Sequence, residues 1–428
     1  MKKFIQTLSK VYKDHELRKK ILIVLGLFLV FRFLSHIPVT GVNVAQLQSF
    51  FGSNQLLGLL DVFSGGTLSN FSLLAVGIGP YIYASIVIQL AQQIYPKLEE
   101  LQKEGQYGRQ KITQYTRYIT IPLSILQSIG MYALLRSQGL ISNLSPFELI
   151  AFVATMVAGT MVIMWIGELI SEQNIGNGIS LIIFAGIIGR IPVVIVQTIS
   201  TITPEQVLNS GLLVVAAILM IASVVFVTEA VRKVPVLYAR RIKGTKSESA
   251  QQTYLPLRLN SAGVVPIIFA VSIVLLPSLL SNYFLSSGKD ALIGIGSFLQ
   301  TYFSVTAIPY NILYFVLIFG FTYFYTAIVF NPQKVSEDIQ ERGGFIPGIR
   351  PGKPTAQYLN FVITRITLFG ALFLGVVAIL PNVLQAVTGI TALIAGGTSI
   401  LIVVAVVIET VKILETQLVS RSYERYTK

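Results

Sequence analysis

Ten long apolar stretches separated by short polar connections are the feature that most constrains this chain of 428 residues. A helix needs about 20 mostly apolar residues to cross the roughly 30 Å hydrocarbon core of a bilayer. Within lipid only helices and closed barrels satisfy every backbone polar group, and these stretches are too long for barrel strands. The sequence therefore predicts an all-α polytopic membrane protein. The predicted spans are about 20–38, 71–93, 117–136, 149–168, 179–197, 211–230, 262–283, 309–330, 361–381 and 391–409.

The positions of the basic residues predict which side of the membrane each connection occupies. All but four of the 32 Lys and Arg residues lie in the N-terminal arm, in or beside the connections after the second, sixth and eighth spans, and in the C-terminal tail. Such residues prefer the cytoplasmic side, so both termini are predicted to be cytoplasmic. Arg136, Arg190 and Lys289 fall on the outer side. Arg32 lies inside the first span, and we expect it to snorkel to the outer interface.

The amino-acid composition indicates which kinds of molecule the cytoplasmic connections can bind. Hydrophobic residues make up 53% of the chain and charged residues 12%, against about 25% charged in soluble domains. The net charge of +13 is therefore concentrated in the cytoplasmic connections. Such a surface attracts anionic lipids or an acidic partner, and nucleic acid is a weaker alternative.

Several kinds of chemistry are missing from the sequence. It has no Cys, which excludes disulfides and thiolate metal sites, and neither of its two His has a metal partner at helical spacing. There is no phosphate-binding Gly-rich loop, and no paired catalytic groups are evident, so we expect neither a cofactor nor an enzyme. Acidic residues lie near span ends rather than at midplane, which argues against an ion-coupled small-solute transporter.

Span counting suggests two halves. Residues 1–197 hold five spans and residues 198–428 hold the other five, so any repeat between them must be inverted in the membrane. The second half contains two long cytoplasmic segments, about 231–260 and 331–360, which are charged and rich in Gly, Pro or Ser. These are predicted to be protruding loops.

The segment 56–70 is too short and too broken by Gly65-Gly66 to span, yet too apolar for an ordinary exposed loop. A short re-entrant helix buried in protein fits it. An interfacial helix on the outer leaflet is the alternative.

Seven strings in order make the chain resemble the SecY family, the central subunits of protein-conducting channels. They are Phe31-Arg32 with Ile37-Pro38-Val39, Asp61-Val62-Phe63-Ser64-Gly65-Gly66, Gly77-Ile78-Gly79-Pro80-Tyr81-Ile82 with Ala84-Ser85-Ile86, Gly176-Asn177-Gly178-Ile179-Ser180, Asn260-Ser261-Ala262-Gly263-Val264-Val265-Pro266, Pro347-Gly348-Ile349-Arg350-Pro351-Gly352, and Gly396-Gly397-Thr398-Ser399. The resemblance covers essentially the whole chain. Gly79 departs from it, since a larger apolar residue is usual there.

The resemblance implies an hourglass of two five-helix halves with a ring of branched apolar side chains at mid-membrane. By motif position the ring would consist of Ile78, Ile82, Ile179, Ile183, Ile268 and Ile402. Residues four apart share one helix face, as Ile78 and Ile82 do. A narrow apolar ring dewets and blocks ions, while it can close around any passing side chain.

The resemblance also assigns a plug and a lateral gate. The plug would be the residues from Asp61 to Asn70: Asp61, Val62, Phe63, Ser64, Gly65, Gly66, Thr67, Leu68, Ser69 and Asn70. The gate between spans two and seven would open towards lipid, with Ser85, Gln127 and Asn260 as small polar groups at the seam. Hydrogen bonds inside membranes contribute about 0.6–2 kcal/mol each, which suits a gate. Plain helix packing is the alternative role for these three residues.

Three arginines are candidates for contact with a motor or a ribosome. Arg350 lies in a turn whose flanking prolines and glycines predict a rigid, exposed tip, and Arg240 and Arg241 lie on the first long loop. A guanidinium offers planar paired donors for carboxylates and phosphates. An ordinary solvated basic residue is the alternative.

The expected function is a passive pore for unfolded, signal-bearing polypeptides in the bacterial plasma membrane. It would release apolar segments sideways into lipid. The implied partners are SecE-like and SecG-like small membrane subunits, a SecA-like ATPase, the ribosome, signal-bearing preproteins and anionic lipids. An accessory channel with few substrates is the nearer alternative, and a small-solute secondary transporter is the more remote one.

Overall fold

A computed structural model describes residues 14–39, 46–48, 61, 64–201, 207–238, 252–285, 289–304, 307–388 and 394–427. These residues are mostly helical, as predicted. The helices are α1 (His15–Leu34), α2 (Gly79–Ile94), α3 (Pro96–Lys103), α4 (Gln106–Ser137), α5 (Pro146–Glu172), α6 (Gly178–Thr201), α7 (Val207–Glu229), α8 (Val265–Leu285), α9 (Asp290–Tyr302), α10 (Ile308–Val329), α11 (Pro332–Glu341), α12 (Lys353–Thr388) and α13 (Ile394–Thr427).

The predicted spans and the observed helices correspond closely. Each predicted span overlaps one of the helices α1, α2, α4–α8, α10, α12 and α13. Over the described residues, α4, α5, α7, α10 and α12 are individually long and apolar enough to cross a membrane. The predicted helical, polytopic fold is therefore confirmed, with a small sheet as an addition that is described below.

Local sequence signals set several helix starts. Ser145 precedes α5, where its hydroxyl accepts a hydrogen bond from the Glu148 N–H and the Glu148 carboxylate accepts one from the Ser145 N–H at 2.7 Å. This reciprocal cap satisfies two backbone donors that the helix leaves free. Asp14 caps α1 in a similar way, through hydrogen bonds from the N–H groups of Glu16 and Leu17.

The second span begins later than predicted. Residues 64–78 form a series of turns rather than helix, and helical structure starts only at Gly79, next to Pro80. Gly65, Gly66 and Gly77 have positive φ, and so does Phe71 at 45°. Positive φ is incompatible with a right-handed helix, which explains the delayed start. Of the predicted re-entrant helix, Asp61 is helical, while residues 56–60, 62 and 63 lie outside the described residues.

The helices pack in two main groups. Helix α5 packs against α1, α2, α4 and α6, whereas α12 packs against α7, α10 and α13. Between these groups, α6 contacts α13 on one side, while α2 and α4 contact α8 on the other. The division near residue 197 and its inverted symmetry stay predictions.

The two long segments predicted to be cytoplasmic loops contain strands, so the prediction of simple loops is wrong for the parts of them that the structure describes. Strands β1 (Val231–Tyr238), β2 (Gln252–Arg258) and β3 (Gly344–Phe345) form an antiparallel sheet in the order β2-β1-β3. Its apolar side packs with α11 and α12 in a small core of Val234, Val236, Leu257, Ile339, Ile346 and Leu359. Alternation of buried and exposed residues along β1 is weak, because its first three residues are all exposed, and this hid the strand from sequence analysis.

A glycine contact in the first half gives a testable prediction. A Cβ added to Gly159 in α5 would overlap the backbone carbonyl of Leu73 in the turn segment. We expect Gly159→Ala to lower the free energy of unfolding by about 1–3 kcal/mol, as overpacking usually does. Thermal survival of the purified protein, followed by size-exclusion chromatography, measures it.

Gly130 in α4 is the matched control, since a Cβ there meets nothing within 4 Å. Gly130→Ala should leave the thermal midpoint unchanged or raise it slightly, because Ala favours helix. Equal midpoints for the two variants would contradict the close contact at Gly159.

Candidate functional site

Four of the predicted ring residues are buried in one large apolar core. Ile82 on α2, Ile183 on α6, Ile268 on α8 and Ile402 on α13 are each at most 7% exposed, and all belong to the same group of packed side chains. Two of these helices belong to each predicted half. We call these four residues the isoleucine cluster.

The other two predicted ring residues lie at the edge of this group. Ile78 and Ile179 are partly exposed and pack against it. Ile78 occupies the position just before α2. Ile179 faces α5, because its Cδ1 would lie 2.6 Å from a Cβ added to Gly167. The six residues thus lie in or against one apolar core, and their arrangement as a ring stays a prediction.

The predicted plug is attached to α6 by a buried ion pair. The Asp61 carboxylate lies 3.0 Å from a guanidinium nitrogen of Arg190, and the two side chains are 2% and 24% exposed. The same carboxylate accepts a hydrogen bond from the Ser69 N–H at 2.7 Å. Asp61 therefore joins the two ends of the plug segment, residues 61–70, and fixes both to α6.

A second arginine binds the same segment from α1. The Arg32 guanidinium donates to the carbonyl of Gly65 at 3.0 Å and to the carbonyl of Gly189 at 3.1 Å. The expectation that Arg32 snorkels to the outer interface is wrong, because two backbone carbonyls within the protein bind it. We call Arg32, Arg190 and Asp61 the plug latch.

Glycines allow the backbone of the plug segment to lie directly against the backbone of α6. A Cβ on Gly65 would lie 2.6 Å from the Cα of Gly186, and Gly65 has a φ of +77° that disfavours other residues. A Cβ on Gly189 would lie 2.9 Å from the Arg32 guanidinium. The latch thus needs Gly at these positions.

Sequence analysis did not identify the arginines of the latch as functional. A signal was present, since Arg32 and Arg190 are among the four basic residues that depart from the cytoplasmic charge pattern. An ionisable residue within or beside a span usually has a specific partner. Here the partners are the Asp61 carboxylate and the Gly65 carbonyl.

The predicted lateral gate contains a hydrogen bond that the sequence did not reveal. The Tyr83 hydroxyl on α2 donates to the carbonyl of Ser272 on α8 at 3.2 Å. Gln127 on α4 lies against Gly79, where its amide oxygen would be 3.5 Å from an added Cβ. A larger residue at position 79 would displace that amide.

The other two predicted gate residues bond locally. The Ser85 hydroxyl accepts a hydrogen bond from the Gln89 amide at 2.9 Å, one turn along α2. The Asn260 amide bonds to both the N–H and the carbonyl of Gly263, at 3.0 and 3.2 Å. Neither bond crosses the seam, so a role in helix and turn geometry describes these residues in this state.

Asn260 also lines a cavity of about 220 Å³ beside the sheet. Its wall includes Ser180, Arg258 and Glu409, together with Lys412, which pairs with Glu229 at 2.9 Å. Within the described ranges, no group of three or more His, Asp or Glu is placed to hold a metal ion. The cavity lies at the sheet end of the helices, and polar and apolar side chains both line it.

Arg350 is exposed on a turn of fixed shape. Its carbonyl accepts a hydrogen bond from the Thr355 hydroxyl at 2.9 Å, and the Ser336 hydroxyl donates to the carbonyl of Gly352 at 2.8 Å. Gly348 and Gly352 have positive φ. The geometry agrees with the predicted rigid tip, while Arg240 and Arg241 lie outside the described residues.

Comparisons with known proteins agree on one family. The model of the family described as SecY matches residues 72–411. A protein translocase subunit SecY of Streptomyces scabiei is 42% identical, over 98% of this chain and 99% of the relative. One from Mycobacterium bovis is 43% identical, over 99% of both chains.

Solved structures share the fold at low sequence identity. One described as a protein-conducting channel has a TM-score of 0.63 at 18% identity, covering 93% of this chain and 91% of the other. Sec61 in a canine ribosome-channel complex has a TM-score of 0.60 at 18% identity, with the same coverage. These likenesses show the fold alone.

The plug latch gives the second prediction. Asp61→Asn removes the carboxylate charge that faces Arg190, and leaving a buried charge unpaired destabilises a contact. Because Arg190 is about a quarter exposed, we expect a loss of about 1–3 kcal/mol, or roughly 5- to 150-fold in the opening equilibrium of the segment. Thr67 is fully buried, so the rate at which a Thr67→Cys thiol reacts with a membrane-impermeant maleimide reports that opening.

Arg136→Gln on the same Thr67→Cys background is the control, because Arg136 is an exposed basic residue predicted on the same side of the membrane. It removes one charge without touching the latch, so its reaction rate should match the parent. A rate for Asp61→Asn equal to that of the control would show that the ion pair does not hold the segment.

Proposed function

The chain belongs to the SecY family, and from this premise we propose that it forms the polypeptide-conducting channel of a protein translocase. The observation that carries the proposal is the isoleucine cluster, whose four side chains come from both predicted halves and are buried in one continuous apolar core. A pore that closes at this point is sealed by apolar packing alone. Its two sides would then be the inverted halves 1–197 and 198–428.

Apolar closure suits a channel for chemically diverse polypeptides. Isoleucine presents no hydrogen-bond partner, so a narrow gap lined by it excludes water and ions. The cluster carries no charge and no specific ligand, and it can repack around any side chain that passes. A small-solute transporter would need a polar substrate site at this depth.

The plug segment provides a second barrier in the proposal. The latch holds residues 61–70 against α6, and opening requires the Asp61–Arg190 pair and the Arg32 bond to break. The seam between α2 and α8 is the proposed lateral exit. The bond from the Tyr83 hydroxyl to the Ser272 carbonyl across this seam joins two neutral groups, which keeps the cost of breaking it small.

Movement of the polypeptide is proposed to be driven from outside the chain. Arg350 presents its guanidinium beside the cytoplasmic sheet, where an acidic face of a SecA-like ATPase or a ribosomal phosphate would bind. Solved structures of similar fold include channels bound to ribosomes, which supports the ribosome as a partner. SecE-like and SecG-like small membrane subunits, signal-bearing preproteins and anionic lipids complete the proposed partners.

The proposed location is the bacterial plasma membrane. Apolar helices and the fold make the chain a multi-pass membrane protein. The basic residues support cytoplasmic positions for both termini.

The isoleucine cluster predicts a specific defect. We expect the double variant Ile82→Ser, Ile183→Ser to conduct small ions at rest, because hydroxyls at the constriction stabilise water there. Single-channel recording of the purified complex in planar bilayers measures this conductance.

Ile188→Ser, Ile195→Ser is the matched control, since both residues are on α6 and are 43% and 51% exposed. It makes the same chemical change away from the cluster and should record the baseline of the parent. Baseline conductance in the cluster variant would contradict a seal at these residues.

The exposed side chain of Arg350 gives a prediction about motor-driven translocation. Arg350→Glu reverses a charge on an exposed turn, so we expect motor-driven translocation into vesicles to fall at least several-fold while assembly is unchanged. Arg342→Glu, at the end of α11, makes the same change at another exposed position and should translocate normally. Equal loss in both variants would indicate a general charge effect instead of a docking contact.

A further inference from the structure

Helix α9 lies at the end of α8 that is opposite the cytoplasmic sheet. Strand β2 ends at Arg258 just before α8 begins at Val265, whereas α9 follows the other end of α8 after Leu285. Helix α9 therefore belongs to the outer face of the protein. It is too short, at 13 residues, to cross a membrane.

One face of α9 is fixed to α8. The Ser281 hydroxyl donates to the carbonyl of Gly296 at 2.8 Å, and both residues are buried. A Cβ on Gly296 would lie 2.9 Å from the backbone nitrogen of Leu285. Leu292 and Leu299, four before and three after Gly296, are only partly exposed on the same face.

A second face is apolar and exposed. Ile295, Phe298 and Tyr302 follow one another at spacings of three and four, so they form a single stripe. Their exposed fractions are 49%, 56% and 46%. The rings of Phe298 and Tyr302 lie with centroids 4.5 Å apart.

A third face, turned away from this stripe, is polar. Asp290, Ser297 and Thr301 are all exposed there and share one side of the helix. The helix therefore has protein on one side, an apolar surface on the next and a polar surface on the third. A helix at a bilayer surface has this arrangement, with its apolar side in the acyl boundary and its polar side in water.

From these observations we propose that α9 is a lipid-binding helix that anchors the outer end of α8 in the outer leaflet. Tyr is enriched at membrane–water interfaces and Phe is common on the apolar face of interfacial helices, and the exposed stripe of α9 contains both. Helix α10, which contacts α9, also carries an exposed apolar stripe, formed by Ile308, Ile312 and Val316. The occupant of the apolar face of α9 is therefore lipid.

The proposed binding of α9 to lipid is separate from the proposed transport function and does not depend on it. Because α9 is bonded to α8, and α8 forms one side of the seam with α2, the outer leaflet holds one wall of that seam.

Depth-dependent fluorescence quenching tests the proposal. The chain has no Cys, so Phe298→Cys and Thr301→Cys each carry a single thiol for the fluorophore NBD. The full chain with its bound subunits is reconstituted into phosphatidylcholine–phosphatidylglycerol vesicles. Quenching is measured with phosphatidylcholine that carries a doxyl group at carbon 5 and, separately, with iodide on both sides.

We expect the label at position 298 to be quenched by the doxyl lipid and protected from iodide, with the reverse at position 301. Ile295→Cys, on the same stripe, repeats the test should Phe298→Cys fail to assemble. Iodide quenching at both positions would place the stripe in water and overturn the proposal. Protection of position 298 from both quenchers would show a protein partner on the stripe. Doxyl quenching at both positions would show a helix that is immersed in the membrane. Either result would overturn the proposal.

Discussion

Lipid offers no hydrogen-bond partner to a peptide group, and that constraint governs the irregular segment between α1 and α2. Between α1 and α2 the chain runs through buried turns from residue 64 to residue 78. Their backbone groups are bonded within the protein, as in the bond from the Val39 N–H to the Phe71 carbonyl at 2.9 Å. The guanidinium of Arg32 donates a hydrogen bond to the Gly65 carbonyl. Groups of the protein thus take the place of water as partners for this segment.

The spans could be predicted from sequence because their signal is local. About 20 apolar residues in a row have few alternatives, and the isoleucines of the cluster could be picked out through motifs that the chain shares with its family. The delayed start of α2 was missed because the run 71–93 is apolar throughout. Residues 71–78 are not helical because Phe71 and Gly77 have positive φ, and a hydropathy pattern contains no information on φ.

The latch and the sheet could not be predicted for a different reason, since both join distant parts of the chain. Arg190 meets Asp61 across 129 positions, and β1 pairs with β3 more than a hundred residues later. A single sequence shows that Arg190 departs from the charge pattern but not which carboxylate it meets. Asn260 shows a different limit of the sequence. This polar residue near the predicted seam was expected to form a hydrogen bond across it, but its amide oxygen accepts one from the Gly263 N–H in its own turn.

The antiparallel sheet has a mechanical consequence. Strand β1 follows α7 after the single residue Ala230, and β2 leads into α8 through a short turn, while β3 lies a few residues before the turn that presents Arg350. Force applied at that turn reaches the near ends of α7 and α8 through paired strands, which are stiff along their length. The small core around Val234 and Leu359 holds the sheet against α11 and α12, so a load on the sheet would also reach α8, the helix at the predicted seam.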